Sequence, residues 1–124
     1  MVSAMRIPAL LTALVLILPA GAALAHARLV RSEPAAASSI DHAPQRIWLK
    51  FTDVIRPGAS GVMLTAPNGG KTLLTPLTRD PSDPKGVFAP LPARVGPGHY
   101  QVDWRALSPD GHRTHGQFVF TVGR

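Results

Sequence analysis

The segment Arg46–Asp53, RIWLKFTD, sets Ile47, Leu49 and Phe51 on one side of an extended chain and Trp48, Lys50 and Thr52 on the other. A period of two is the signature of a strand with one face turned to a core. Pro and Gly are frequent (13 and 11 in the whole chain), and after the first 25 residues they cut it into runs of similar, short length. None of these runs carries a 3.6-residue apolar period, so amphipathic helices are excluded as the main building block. What remains is a fold of short strands joined by tight turns.

Read in order, Ala27–Ser32 is an opening strand stopped by Glu33-Pro34, and Ala35–Pro44 reads as a loop carrying His42. Gly61–Ala66 and Lys71–Leu77 flank Pro67-Asn68-Gly69-Gly70, and Asn-Gly between two β-rich runs is a strong hairpin signal. Thr78–Lys85 reads as a polar, proline-broken loop and Gly86–Leu91 as a short strand. Gly96-Pro97-Gly98 turns into the strand Tyr100–Arg105, and Gly116–Val122 closes the chain with Phe118, Phe120 and Val122 on one face. About seven strands, with turn signals roughly every 8–12 residues, predict an all-β antiparallel sandwich or barrel in one domain. Trp104 is expected in the core between sheets.

The first 25 residues have a different character. One Arg lies in Met1–Arg6, Ile7–Leu18 is an apolar run of 12 residues, and Ala23-Leu24-Ala25 follows a small-residue stretch. This is the layout of a secretory signal peptide. The apolar run falls short of the roughly 18–20 residues a membrane span needs. No Arg-Arg pair is present, which favours the general secretion route. The expected organisation is therefore a cleaved signal peptide at 1–25 and a mature domain at 26–124. A second small-residue site, Ala20-Gly21-Ala22, is the rival cut. Cleavage after Ala25 makes His26 the first residue. Its α-amino group would then titrate near the ordinary value of about 7.7–8.0, so amine and imidazole of one residue can chelate one metal ion.

Formal charge is +6, but Lys and Arg are scattered singly, with no basic stripe lined by aromatics, so nucleic acid is not an expected partner. The absence of Cys excludes a disulfide scaffold, a thiolate metal site and a Cys nucleophile. The sequence Tyr100–His115, YQVDWRALSPDGHRTH, brings an acid and an imidazole two residues apart at Asp110 and His112. With His26 they supply three nitrogens and one oxygen, a set that suits tetragonal Cu(II). Zinc prefers a tetrahedral set, and calcium or magnesium an all-oxygen one. Met63 is the single Met after residue 25, so soft ligands for Cu(I) are lacking. Taken singly, Asp110-Gly111 reads equally as a turn and His112 as a surface residue. Asp53 is a candidate outer acceptor, His115 a solvent-facing or outer histidine, and His42 and His99 exposed residues.

These stretches resemble the CopC family of copper-resistance proteins, which includes PcoC and the YobA-type proteins. The resemblance rests on HARLVRSEP from His26, on RIWLKFTD, and above all on YQVDWRALSPDGH, and it spans the whole mature chain. It implies an Ig-like β-sandwich or barrel with Greek-key connections in the periplasm, holding one Cu(II) through His26, Asp110 and His112; the domain is expected to be a monomer. It also implies exchange of copper with a CopD-type inner-membrane transporter, and it gives Asp53 some support as an acid near the metal. Some members carry a Met-rich loop for Cu(I); the matching region, about Gly61–Lys85, holds Met63 alone, so that second site is not expected.

A non-enzymatic copper carrier is thus the expected function. The alternative is a copper-dependent oxidase or lytic polysaccharide monooxygenase-like enzyme built on a histidine brace. Such a site needs open equatorial room, which Asp110 would fill, and a flat glycan-binding face. Two Trp, one Tyr and four Phe are few residues from which to build that face. A plain interaction domain without metal is the reading that follows if His26 is never exposed as a terminus.

Overall fold

The computed structural model describes residues 26–123; the expected signal peptide at 1–25 lies outside the described residues. Nine strands form two facing sheets: β1 Leu29–Glu33, β2 Ser38–Ile40, β3 Arg46–Phe51, β4 Gly61–Thr65, β5 Lys71–Leu74, β6 Thr78–Asp80, β7 Asp83–Pro90, β8 Gly98–Leu107 and β9 Arg113–Val122. One sheet has the order β1-β3-β7-β6, the other β2-β9-β8-β4-β5. The sheets stay separate, so the sandwich form of the expectation holds and the barrel form does not. The chain crosses repeatedly from one sheet to the other, and only short pairs stay together as hairpins.

Each sheet presents one apolar face to the other. Ile47, Leu49, Phe51, Val87 and Ala89 line the first; Val62, Leu64, Tyr100, Val102, Trp104, Ala106, Phe118, Phe120 and Val122 line the second. Fully burying a side chain such as Ile47 or Phe51 contributes about 1.5–3 kcal/mol over leaving it exposed, which is why the period-two pattern dictates this architecture. Trp104 meets Phe51 across the interface edge to face, with ring centroids 5.2 Å apart. The expected Asn-Gly hairpin joins β4 to β5, with Gly69 at φ +85° and Asn68 Oδ1 accepting from the Gly70 N–H.

Four local expectations need correction. Ala35–Pro44 is not all loop: Ser38–Ile40 pairs in parallel with Phe120–Val122, so the sandwich is not purely antiparallel. Three residues are too few to show a period, and an edge partner is a tertiary choice. Thr78–Lys85 is likewise not a loop. It is a hairpin whose tip is Pro81-Ser82, with Asp80 opposite Asp83. Asp80 and Asp83 each accept a backbone N–H two residues on. Pro84 is tolerated because β7 runs past the end of β3 there, Gly86 being the last residue paired with it. The third correction is at β9, which begins at Arg113 rather than Gly116 because β8 and β9 stay paired up to Leu107 and Arg113. Finally, β1 begins at Leu29 rather than Ala27, since Ala27 is hydrogen-bonded to side chains instead of a ladder.

Gly116 lies opposite Trp104, and a Cβ there would sit 2.6 Å from Cζ2 of the indole. Gly116→Ala should therefore force Trp104 to shift and destabilise the domain by about 1–3 kcal/mol. Urea unfolding followed by tryptophan fluorescence checks this; a variant as stable as the parent would mean that the indole does not lie on Gly116.

Candidate metal centre

The inward register of β8 runs Tyr100, Val102, Trp104, Ala106 and continues to Ser108 just past the strand end, where the hydroxyl is fully buried. The chain then turns sharply: the Gly111 N–H donates to the Ser108 carbonyl, the Ser108 N–H donates to the His112 carbonyl, and Gly111 takes φ +88°. Asp110 caps this turn, Oδ1 accepting from the His112 N–H at 3.1 Å. Its other oxygen lies 2.8 Å from Nδ1 of His112. A carboxylate only accepts, so Nδ1 carries the proton in this pairing.

The start of the described chain reaches the same turn. Ala27 is fully buried, its N–H donates to Ser108 Oγ at 3.1 Å, and its carbonyl accepts from Thr114 Oγ1 at 2.7 Å. Arg28 pairs with the far end of β3, its N–H donating to Thr52 Oγ1 and its carbonyl accepting from the Thr52 N–H. His26 is thereby laid against His112, with ring centroids 4.5 Å apart and planes tilted by 32°. The chain ends are far apart in sequence, yet His26, Asp110 and His112 form one cluster.

The remaining candidates lie elsewhere. Asp53 accepts from the N–H of Val54, at 2.7 Å, and among the described residues none of its hydrogen bonds runs to an imidazole. His115 is exposed on the outer side of β9, opposite Arg105 on β8. His99 is exposed and bonded to Thr121 Oγ1, and His42 is an exposed loop residue. Ser108, Thr114 and Thr52 were not singled out from the sequence. The available signal was parity: Ser108 and Thr114 carry hydroxyls at positions where the alternation of β8 and β9 points inward, and a buried hydroxyl needs a partner.

The spacing of the donors bears on whether they suit copper. Two ligands at right angles, each about 2.0 Å from a metal, lie about 2.8 Å apart. Asp110 Oδ2 and His112 Nδ1 have that separation, with the second imidazole alongside. Among the described residues no three His, Asp or Glu side chains converge enough to hold a metal by themselves. A site here needs a donor that is not a side chain, and the nitrogen of His26 supplies one only when it is an amine rather than an amide. The residues fit copper on that condition.

A small domain of two facing β-sheets of this kind belongs to the class of Ig-like β-sandwiches. The chain belongs to the CopC family: the family model described as the CopC domain matches residues 29–123. It is 39% identical over 98 residues to the protein YobA of Escherichia coli K12, covering 79% of each chain. It is 36% identical over 110 residues to copper resistance protein C of Escherichia coli, covering 81% of this chain and 83% of that one. The crystal structure of PcoC, described as a methionine-rich copper resistance protein from Escherichia coli, superposes with a TM-score of 0.69 at 31% identity, over 80% of this chain and all of that one. This is a family of copper resistance and transport proteins rather than of enzymes.

The bond from the His112 ring, then that from its backbone N–H, hold the Asp110 carboxyl below the ordinary carboxylate value; slight desolvation opposes them, and charge on His112 and His26 adds to them. Because the folded pKa is depressed, the pairing is fully formed above the ordinary value and is lost as pH falls through the lowered one. Carbon-13 NMR of metal-free protein should place the Asp110 midpoint below that of an unstructured Asp, and His112→Ala should return it toward that value. An unshifted midpoint in the parent would show that the two groups are not paired in solution.

Proposed function

We propose that the chain is a periplasmic copper carrier that holds one Cu(II) once a signal peptidase has cut after Ala25. The observation that carries this reading is the seating of His26 on His112 beside Asp110. Four donors are then available: the amine and imidazole of His26, the imidazole of His112 and the carboxylate of Asp110. Copper would take the place of the proton shared by Asp110 and His112; the one unit of positive charge this adds falls on side chains exposed to solvent, where it is tolerated. The domain acts as a monomer and exchanges its copper with a CopD-type inner-membrane transporter. If Asp110 ligates, it would take a position that oxygen chemistry needs open, which favours storage and transfer.

The relatives support this reading by name, since copper resistance is what copper resistance protein C is called after. PcoC is described as methionine-rich, whereas Met63, half-buried on β4, is the single methionine after residue 25 here. The carrier therefore serves Cu(II) and lacks a second, thioether-based Cu(I) site.

The exported protein should have the intact mass of a chain beginning at His26, and Cu(II) titration should give one site whose EPR spectrum shows nitrogen coupling. One extra residue ahead of His26, or His26→Ala, should weaken binding by more than about tenfold, since even partners outside the ligand set cost 10–100-fold in such sites. Binding should also weaken as pH falls, with protons competing at the amine before the already ionised Asp110 is reached. Unchanged affinity in the extended chain would refute the amine as a ligand.

A further inference from the structure

The segment that leads into Asp110 contains a serine, Ser108, that no ligand role explains. Ser108 is fully buried, as is Ala27. Between them, Ser108 Oγ and Thr114 Oγ1 satisfy both polar groups of the Ala27 residue, one accepting its N–H and the other donating to its carbonyl. Ser108 precedes the Asp110 turn and Thr114 follows it, so both arms of the clamp come from the segment that carries Asp110 and His112. Thr52 holds the next residue, Arg28, from the opposite sheet. His26 itself makes no hydrogen bond among the described residues beyond this chain of anchors, and its ring position follows from that of Ala27.

We infer that Ser108 and Thr114 are positioning residues that fix the N-terminal histidine over His112 before any metal arrives. The inference rests on the copper-carrier reading for its consequence, but the clamp itself is a property of the metal-free chain. A free terminus that had to be ordered at the moment of binding would lose backbone freedom, at a cost set by each residue immobilised. Here that ordering is built into folding, because the Ser108 hydroxyl and the Ala27 peptide are buried and would otherwise be unsatisfied, while the half-buried Thr114 hydroxyl closes the clamp on the carbonyl side. The clamp also fixes residue 27, so that residue 26 is the one laid beside His112.

The test uses a chain starting at His26 and carrying Thr114→Val, which keeps the shape of the side chain and removes the hydroxyl, alone and with Ser108→Ala. Nuclear Overhauser contacts between the His26 and His112 rings, read without metal, should be present in the parent, weakened in Thr114→Val and lost in the double variant. Thr114→Ser, which keeps the hydroxyl, should retain them. Core methyl signals of Val62 and Val102 report that the sandwich is intact, and the single variant serves if the double one does not fold. Cu(II) affinity should fall about 10–100-fold in the variants that lose the ring contact, as for other residues that orient ligands. Ring contacts that persist without both hydroxyls, or affinity unchanged after their loss, would overturn the inference. A parent chain that shows the ring contacts and yet binds no Cu(II) through nitrogen would refute the carrier reading and leave the clamp standing.

Discussion

The peptide of Ala27 is held by two hydroxyls from the other end of the chain, and the rest of the site depends on that grip. Ala27 has no side chain with which to hold itself in place, and it lies outside the β1 ladder. Without Ser108 and Thr114 its N–H and C=O would be buried and unpaired. With them, the start of the chain is tied to the segment that joins β8 to β9 in one sheet, while Thr52 ties Arg28 to β3 in the other. The N-terminal residues thus span both sheets at one end of the sandwich, and His26 is delivered to the surface beside His112.

The core makes this arrangement rigid. Trp104 is wedged between Gly116 on the neighbouring strand and Phe51 on the facing sheet. It fixes how far β8 and β9 stand from β3, and therefore where Ser108 and Thr114 lie relative to Thr52. The turn between β8 and β9 is itself braced from outside by Arg56, whose backbone N–H donates to the Leu107 carbonyl and whose guanidinium donates to that of Pro109. The turn that carries Asp110 and His112 is therefore held from both sides by the fold itself.

Much of the fold was legible because burial enforces a period of two. Ile47, Leu49 and Phe51, and Phe118, Phe120 and Val122, are buried as their alternation implies. The hairpin at Asn68-Gly69 follows from the left-handed backbone that Gly69 adopts. Illegible were the short edges. Ser38–Ile40 has Ile40 alone to set against the core, too little to show a period, and its parallel pairing with β9 depends on a neighbour brought close by the rest of the fold. The Asp80–Asp83 hairpin was hidden because proline and aspartate usually mark loops, and nothing local reveals that β7 outruns its partner there.

For the site, the residue types and their spacing were written in the chain: a histidine after a cleavable-looking leader, and an Asp-x-His turn ending a strand. Those features are local chemistry, and local chemistry can be read one residue at a time. Their meeting was decided only by the tertiary structure. His26 and His112 come together because the inward register of β8 ends in a serine, that of β9 begins with a threonine, and the Ala27 peptide fits between them. Such hydroxyls have no preference of their own for a partner so distant in sequence. Two sheets packed at a distance set by Trp104 and Phe51 leave each of them one backbone group within reach.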